Sequence, residues 1–478
     1  MNKRTVINNI GKIILVEAIL MLIPTIISLC YGEFDDVFNF LVTIIPSLLV
    51  ALLCTRAKGS PLTPRDGYVI VGLAWIVISL IGAVPMFLTG AFDTYISALF
   101  EMVSGFTTTG ASVMSEPGVL GHGTQFFRCF SHWIGGMGVL VFVLMLLPME
   151  NDSSMHLIKA EVPGPTSGKL VPRMRQTSRI LYGIYGALTL ILVIVLIILG
   201  MPVYDSFCYA FGTAGTGGFG ICSQGLGLYN SPAIEIAISI GMLAFGINFN
   251  LYYFLLLGKV KDVFKNEELR VYFGIVVVAI VSISINIFSV IGNFADTFRL
   301  SLFQVSSIMT TTGFATADFN MWPNFSQHVL VILMIIGACA GSTAGGFKIS
   351  RVIILWKSFI AEIKRIINPK RMMPVRVNGS VIDYKALQAA KVYCAAYLII
   401  MCLSVLLLSL NGLDFTTNVT ATIACFNNIG PGLGLVGPMA NYSVYSMPAQ
   451  FLLTILMLAG RLEIFPMFLL FAKSAHDR

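Results

Sequence analysis

Four short turns in the sequence share a composition that suits the binding of a bare cation. Each contains glycine and carries no charged side chain. A cation site without carboxylates must use oxygen dipoles, chiefly main-chain carbonyls, and glycine permits the positive-φ conformations that aim successive carbonyls the same way. Carbonyl rings of this kind replace the hydration shell of the ion in potassium channels. The candidate cation-filter residues are Thr108, Thr109, Gly110, Thr216, Gly217, Gly218, Thr311, Thr312, Gly313, Asn428, Ile429 and Gly430.

Each turn follows an aspartate and a short apolar stretch, which predicts a re-entrant pore helix. The aspartates Asp93, Asp205, Asp296 and Asp414 lie 17, 13, 17 and 16 residues before the turn glycine. We expect them to be the N-caps of the short helices. A helix that is capped outside and runs inward presents its partly negative C-terminal end to the pore centre, which favours a monovalent cation. A single glycine turn would be read as a simple loop, but four turns at equivalent positions argue against that reading.

The composition predicts a membrane protein around these turns. Of the 478 residues, 56% are hydrophobic and only 11% are charged, whereas soluble domains carry about 25% charged residues. The apolar runs reach about 20 residues, the length that a helix needs to cross the hydrocarbon core. The predicted spans are 13–32, 37–54, 68–90, 134–149, 180–201, 234–257, 272–293, 329–347, 392–411 and 449–472.

The distribution of charge sets the predicted orientation. If the spans alternate, 27 of the 30 Lys and Arg residues lie on one side of the membrane, and cationic loops face the cytoplasm. Both termini are therefore expected in the cytoplasm. The opposite side carries ten acids, including Glu101, and only Arg128 and Arg299 as bases, so it forms an entrance that attracts cations.

The fold class that follows is an all-α polytopic membrane protein. Two N-terminal helices precede four pseudo-fourfold repeats of helix, re-entrant pore helix and helix around a central pore. Irregular backbone at membrane depth must be buried in protein or line a water-filled cavity, and four units around one axis meet that condition. The predicted divisions are 1–66 for the extra hairpin and 67–150, 151–260, 261–376 and 377–478 for the four pore repeats.

The segment GACAGSTAGGFK (337–348) predicts a broken helix just below the filter. A glycine in a helix interior costs roughly 1 kcal/mol relative to alanine, and this segment contains four. The alternatives are close helix packing through small residues and, less well supported, a phosphate-binding loop, which would need lysine directly after the glycine. The candidate gate residues are Gly337, Gly341, Ser342, Thr343, Gly345, Gly346, Lys348 and Arg461.

Arg461 is the only Lys or Arg predicted deep in the membrane. Charged residues there are expensive and face a cavity or a partner. We expect Arg461 to bind carbonyls freed by the broken helix and to oppose cations below the filter. The alternative is a structural pair near the cytoplasmic end, although Glu463, two residues on, points elsewhere on a helix.

Other classes of protein are disfavoured. The sequence has no nucleophile–base pair, H-E-x-x-H motif or dinucleotide fingerprint, so no enzyme activity is expected. The net charge of +7 lies in the cytoplasmic loops and does not indicate binding to nucleic acid. The basic run 364–376 is interpreted as a topology anchor or as a docking site for a cytosolic partner. His132, beside Trp133, is interpreted as a packing residue.

Taken as a set, eight motifs resemble the TrkH-type membrane subunits of bacterial Trk potassium uptake systems, within the wider Trk/Ktr superfamily. The resemblance covers nearly the whole chain, and the two extra N-terminal spans match the TrkH type. The motifs are TTTGAS (107–112), HWIGGMG (132–138), GTGGFG (215–220), GINFNLYY (246–253), TTTGFA (310–315), GSTAGGFK (341–348), NNIGPGLG (427–434) and GRLEIFP (460–466).

This resemblance implies a specific function and set of partners. It implies potassium uptake across the bacterial inner membrane by a homodimer surrounded by membrane lipid, with one pore in each subunit and the intramembrane gating loop facing Arg461. It also implies a separate cytosolic TrkA-type ring that binds ATP, ADP or NAD, while this chain itself carries potassium and no organic cofactor. Some plant relatives have serine at the first filter glycine and pass sodium, so Gly110 favours potassium.

Two rival functions remain open at this point. The first is a potassium symporter coupled to sodium or protons, for which the spans offer Glu17 and Glu235 as obvious acids. The second is a non-conducting membrane scaffold for a cytosolic partner.

Overall fold

The computed structural model describes residues 2–57, 64–138, 174–369 and 373–470, and these are mainly helical. Within them, six helical segments are long and apolar enough to cross a membrane. The predicted all-helical polytopic membrane fold is confirmed. The six segments are Lys3–Tyr31, Phe34–Thr55, Asp66–Leu88, Arg179–Ile198, Glu267–Ile291 and Tyr384–Asn411.

The first two spans form a hairpin that precedes the repeats. The first span is α1 (Lys3–Leu20) followed by α2 (Leu22–Tyr31), and the second is α3 (Phe34–Thr55). Gly32, with a φ of 75°, ends α2 in the left-handed conformation and turns the chain back. The hairpin packs on the first repeat, where α1 contacts the next long helix and α2 contacts α6 (His122–Gly136).

The remaining chain repeats one order of elements four times, namely a long helix, a short pore helix, a turn and a second helix. The predicted division boundaries themselves remain predictions. The first repeat contains α4 (Pro64–Leu88), pore helix α5 (Tyr95–Phe106) and α6. The second repeat contains α7 (Met174–Ile198), pore helix α8 (Val203–Gly215), α9 (Pro232–Phe245) and α10 (Phe249–Leu256). The short helix α11 (Val260–Lys265) connects it to the third. The third contains α12 (Glu267–Ile291), pore helix α13 (Phe294–Met309), α14 (Asn324–Ile336) and α15 (Ile349–Ile367), and the fourth contains α16 (Tyr384–Leu408), pore helix α17 (Phe415–Phe426), α18 (Met447–Arg461) and α19 (Phe465–Leu469).

The second helix of a repeat is not the continuous span that the apolar runs predicted. The run 234–257 bends by 90° between α9 and α10, because Asn248 starts a new helix by accepting a hydrogen bond from the N–H of residue 250. The run 329–347 ends as a helix at Ile336. The run 449–472 breaks where Glu463 and Ile464 adopt positive φ values of 53° and 69°. The rest of the run 134–149, beyond Gly138, lies outside the described residues.

The predicted N-caps were wrong in three of the four pore helices. Asp414 caps α17 and accepts from the N–H of Thr417. The N-cap residues of the other three helices are Thr94, Pro202 and Asn293, and Thr94 and Asn293 supply the capping oxygen. Asp93 therefore lies just before its helix, whereas Asp205 and Asp296 lie in the first helical turn, where a negative charge still complements the helix dipole.

The basic run 364–376 spans the end of α15 and the start of a small hairpin, with residues 370–372 outside the described part. The hairpin pairs β1 (Arg376–Val377) with β2 (Ser380–Val381), and Arg376 lies opposite Val381. Asn378 and Gly379 both have positive φ values, as a two-residue Asn-Gly turn requires.

Candidate ion filter and gate

All four pore helices end in the same backbone arrangement, and this arrangement builds the turns. After each helix, one N–H group bonds a carbonyl three residues earlier and the next N–H bonds one five residues earlier. This is the Schellman helix end, which requires a left-handed residue at its centre. Glycine is usual there, and a β-branched residue is strained. The left-handed residues are Thr108, Thr216, Thr311 and Asn428, with φ values of 57°, 56°, 56° and 56°.

A second left-handed position follows two residues later in every turn. A positive φ at this point suits glycine because the missing Cβ removes the steric penalty. The predicted turn glycines therefore meet a conformational demand of the backbone in all four repeats. They are Gly110, Gly218, Gly313 and Gly430, with φ values of 76°, 77°, 86° and 97°.

The four turns form a closed ring. A Cβ atom on the turn glycine of the first, second or third repeat would overlap a carbonyl oxygen of the next repeat. A Cβ atom on the fourth glycine would lie 2.8 Å from a carbonyl oxygen of the first repeat. The structure thus brings all the candidate filter residues together around one axis. The contacts run from Gly110 to Gly217, from Gly218 to Thr312, from Gly313 to Ile429 and from Gly430 to Thr109.

Threonine hydroxyls brace the first and third turns in the same way. Thr107 Oγ1 donates to the Val103 carbonyl at 2.6 Å and lies 2.8 Å from Thr109 Oγ1. Thr310 Oγ1 makes the equivalent pair of contacts, to a carbonyl of its own pore helix at 2.6 Å and to Thr312 Oγ1 at 2.8 Å. These hydroxyls tie each strained turn back to the helix from which it emerges.

The fourth turn uses an amide in place of a hydroxyl. Asn428 Nδ2 donates to Thr109 Oγ1 and to the Met457 carbonyl, both at 2.9 Å. The Tyr442 hydroxyl donates to the Gly430 carbonyl at 2.6 Å. Asn428 therefore joins the last turn to the first one and to α18.

A buried ion pair supports the first two turns from behind, whereas the charge distribution predicted both of its residues among the charges of the outer entrance. Glu101 and Arg128 are 0% and 1% exposed, and Glu101 Oε1 lies 2.7 Å from Arg128 Nε. Glu101 also accepts from Ser112 Oγ at 2.9 Å and from the Val113 N–H at 3.0 Å. Arg128 Nη1 donates to the Gly220 carbonyl at 2.9 Å. A charge inside a predicted pore helix was the available signal, because charges at membrane depth need a partner.

His132 links the first pore helix to the second turn. Its Nδ1 lies 2.7 Å from the Gly105 carbonyl, and its Nε2 accepts from the Phe219 N–H at 3.2 Å. This pattern assigns the proton to Nδ1 and leaves a neutral ring, since one nitrogen must donate and the other must accept. The residue is fully buried, as a packing residue should be. Its two hydrogen bonds also hold the second turn against the first pore helix.

The predicted break in the third-repeat helix lies directly below the third turn. The Gly345 N–H donates to Thr311 Oγ1 at 2.7 Å. Gly337, Gly341 and Gly346 have positive φ values of 69°, 72° and 80°. The alternative of close packing along a continuous helix is wrong here, because the segment from Gly337 to Lys348, which we call the gate loop, is not helical.

The gate loop rests on the bend between α9 and α10. The Cys339 N–H donates to the Gly246 carbonyl at 3.2 Å, and the Phe249 N–H donates to the Gly341 carbonyl at 3.0 Å. The apolar run 234–257 predicted a continuous span without this bend. A glycine followed two residues later by the helix-capping Asn248, inside an apolar run, was the signal that could have found it.

Glu268 fixes both sides of the gate loop. Its Oε1 accepts from the Ala340 N–H at 2.7 Å and from the Ser350 N–H at 3.1 Å. Inside the loop, Ser342 Oγ donates to the Cys339 carbonyl at 2.6 Å. The Lys348 ammonium donates to the Ala344 carbonyl, so the candidate gate residues Ser342 and Lys348 both bond the loop's own backbone.

Arg461 binds the gate loop and the first repeat at once. Its Nη1 donates to the Thr343 carbonyl at 2.8 Å. Its Nη2 donates to the Gly135 and Gly136 carbonyls at 2.5 and 2.8 Å. The guanidinium fork therefore joins carbonyls that two interrupted helices leave free, as expected for the broken helix.

The acid nearest to Arg461 in sequence has another partner. Glu463 forms an ion pair with Arg351, the third residue of α15. The Arg351 guanidinium also lies 4.1 Å from the centre of the Tyr393 ring. The end of the gate loop is thus tied to α16 and to the break between α18 and α19.

Two acids on the side where the pore helices begin keep their negative charge to low pH. The hydroxyl and N–H of Thr417 bond Asp414 and lower the pKa of its carboxyl. Burial raises the pKa of Glu33, but hydrogen bonds from His122 and Gly123 outweigh burial, so the net shift is downward. Both carboxylates are therefore available at neutral pH to attract cations.

The sequence profile of the TrkH family, described as a cation transport protein, matches residues 35–477 of the chain. The chain belongs to the TrkH family. The Trk system potassium uptake protein TrkH of Salmonella typhimurium is 32% identical over 484 residues, which cover 99% of each chain. The Trk system potassium uptake protein TrkG of Escherichia coli is 32% identical over 476 residues, which cover 98% of each chain.

Solved structures give the same result. The crystal structure of the potassium transporter TrkH from Vibrio parahaemolyticus superposes with a TM-score of 0.89 at 29% identity and covers 100% of both chains. The resemblance to TrkH-type subunits drawn from the eight motifs is confirmed. The TrkH-family chain is a multi-pass membrane protein of a cation transport family.

Proposed function

We propose that this chain is the membrane subunit of a potassium uptake system and that potassium crosses the membrane through the ring of four turns. The observation that carries the proposal is the closed circuit in which each turn glycine contacts a carbonyl of the next repeat. The turns carry no carboxylate, which suits a monovalent cation held by oxygen dipoles. The C-terminal ends of four pore helices add a partly negative field at the same place.

The potassium ion moves down its electrochemical gradient in this proposal. A membrane potential contributes roughly 2.3 kcal/mol per charge per 100 mV. A potential that is negative inside the cell therefore drives potassium uptake by itself. The gate loop and Arg461 close the path below the turns in the resting state, because the loop lies under Thr311 and Arg461 adds a positive charge there. The names of the relatives support potassium as the ion.

The proposal includes the partners that the resemblance implies. The chain forms a homodimer in a bacterial inner membrane with both termini in the cytoplasm. A separate cytosolic nucleotide-binding ring of the TrkA type, which binds ATP, ADP or NAD, opens the gate loop from below. The names of the relatives speak of a Trk system, which supports the existence of further components.

The filter assignment is tested by substitution of one turn glycine. Gly313→Ala adds a Cβ that overlaps the Ile429 carbonyl, at a φ of 86° that disfavours alanine. We expect loss of potassium flux, or loss of its preference over sodium, in liposomes that contain the purified full chain. Gly274→Ala on α12 is the matched control, since its Cβ meets nothing within 4 Å. Unchanged preference for potassium in the Gly313 variant contradicts the filter.

The same liposomes separate the rival functions. Flux that follows the potassium gradient alone excludes a symporter, whereas flux that needs a sodium or proton gradient establishes one. No flux at all from well-folded protein favours the non-conducting scaffold. Glu235 Oε2 lies 3.3 Å from Arg299 Nε. Of the two acids considered for coupling, Glu17 is therefore the one that forms no ion pair within the described part of the chain.

A further inference from the structure

A groove on the membrane-facing surface lies outside the proposed ion path. It has a volume of about 550 Å³ between α7 and α9, within the range of roughly 300–1,000 Å³ typical of ligand pockets. Every lining residue in the described part of the chain is apolar, including Leu188 and Val195 on α7 and Ile236, Ile240 and Phe245 on α9. The groove opens to the outside, where Ile236 and Ile240 are 42% and 60% exposed.

The chemistry of the groove restricts what can occupy it. None of the described lining side chains can donate or accept a hydrogen bond. A polar ligand or a non-helical peptide would therefore leave its own polar groups unsatisfied in hydrocarbon. A helix about 10 Å across fills roughly 420 Å³ per turn, so the groove holds little more than one turn. A flexible aliphatic chain has no polar groups to satisfy and is narrow enough to fit this volume.

The floor of the groove is part of the support of the gate loop. The Phe245 carbonyl accepts from Thr343 Oγ1 at 3.3 Å, and the Ala244 carbonyl accepts from the Tyr252 hydroxyl at 2.7 Å. The next residue, Gly246, begins the bend on which the loop rests. An occupant that touches the side chains of Ala244 and Phe245 therefore contacts the segment that fixes the bend.

We propose that this groove binds one acyl chain of a bilayer phospholipid, which packs against α9 next to the bend and steadies it. The groove is continuous with the exposed face of α7, where Ile191 and Ile194 are 57% and 48% exposed in a helix that spans the membrane. The surrounding lipid is therefore the source of the chain. The binding site itself does not depend on the proposed ion path, and its effect on the bend rests on the gate role of the loop.

Photo-crosslinking of the full chain in liposomes tests the site. The probe is a phospholipid with a diazirine in its acyl chain, and labelled peptides are mapped by mass spectrometry. We expect label to concentrate on 188–195 and 233–245 relative to the exposed face of α12. Ala237→Trp fills the groove, and we expect it to lower this label about tenfold, equivalent to about 1.4 kcal/mol of binding free energy. Val278→Trp on α12, at a position 68% exposed, is the matched control and should leave the label unchanged.

Three outcomes overturn the proposal. Equal labelling of the groove and of the α12 face in the unmodified protein shows ordinary bilayer contact only. An Ala237→Cys disulfide to a cysteine placed in the apolar segment 139–148 shows that the chain fills its own groove. An Ala237→Cys disulfide between two subunits shows that a second copy covers it. Because none of these readouts uses ion flux, failure of the proposed transport function leaves the test intact.

Discussion

Single residues in the turns hold conformations that their type avoids. Thr108, Thr216 and Thr311 are β-branched residues in the left-handed region, and such strain costs of order 1–3 kcal/mol per residue. It persists only where the surroundings fix it, as the Schellman bonds, the hydroxyl pairs and the neighbouring repeats do here. Strain at three of the four equivalent positions is typical of a functional site rather than of chance.

Arg461 is the residue whose removal should release the gate loop. Hydrogen bonds from charged groups contribute about 1.5–3 kcal/mol each, and every 1.4 kcal/mol is about tenfold in an equilibrium. We therefore expect Arg461→Ala to raise basal potassium flux in liposomes about tenfold or more. Arg461→Lys keeps the charge but loses the fork that spans Thr343 and Gly135, so it separates anchorage from electrostatic repulsion.

The matched control for this variant is Arg365→Ala. Arg365 is exposed, and within the described residues its ion-pair partner is Glu362 on the same helix. Such surface pairs contribute about 0–1 kcal/mol. Basal flux should not change in the control. Unaltered or lower flux in Arg461→Ala would count against a role of Arg461 in closure.

At the scale of elements, the pore helices show that capping residues differ while the helix end is shared. Asp414 caps α17 by its carboxylate, whereas Thr94 and Asn293 cap α5 and α13. The common feature is the C-terminal Schellman end, which places each turn. The position of the N-cap is therefore free to vary by a few residues without moving the turns.

Asp414→Ala should destabilise the fourth pore helix. Loss of an N-cap costs about 1 kcal/mol, and thermal unfolding of the purified protein measures it. Because folding lowers the pKa of Asp414, its contribution is present above the pKa of a free carboxyl, about 3.9, and is lost as the pH falls through the folded value. The destabilisation should therefore disappear in strong acid.

Asp93→Ala is the control for this prediction. Asp93 is exposed and precedes the actual N-cap, Thr94. The same midpoint as the unmodified protein is expected across the pH range. An equal loss of stability in both variants would show that the cap of α17 has no special effect.

The turns, the gate loop and most long helices could be predicted from the sequence. Features that depend on contacts between distant parts of the chain could not. Gly110 and Gly313 are visible because their conformation demands glycine. The bend at Gly246 was hidden because an apolar run keeps the same hydropathy whether it is straight or bent. The burial of Glu101 in an ion pair was not predicted, because its partner, Arg128, is 27 residues away and no local sequence pattern joins the two residues.

At the scale of the whole molecule, the N-terminal hairpin is attached to the first repeat through a polar contact at one end. Glu33, between α2 and α3, accepts from the His122 N–H at 2.8 Å and lies 2.7 Å from His122 Nδ1. The His122 ring stacks on Tyr31 with centroids 3.9 Å apart. The hairpin lies outside the ring of turns, so this contact fixes its position without touching the proposed ion path.

This attachment should weaken in acid. Folding lowers the pKa of Glu33, so its stabilising contribution is present above the pKa of a free glutamate, about 4.3, and is lost as the pH falls through the folded value. We expect Glu33→Gln to lower the free energy of unfolding at neutral pH by up to about 1 kcal/mol and to have no effect well below that range. A difference that persists unchanged in acid would contradict the assignment. Asp35→Asn, on the exposed neighbouring acid, is the control.

One polypeptide supplies every quadrant of the ring, and this has a consequence for variation. In an assembly of four identical subunits, any substitution appears four times, so its effect on the ring is repeated in every quadrant. Here each quadrant is encoded separately, so a single codon alters one quarter of the ring of turns and leaves the other three unchanged. Asn428, where the other three repeats have threonine, is such a change confined to one quadrant. This architecture therefore permits the proposed ion preference to be adjusted one quadrant at a time.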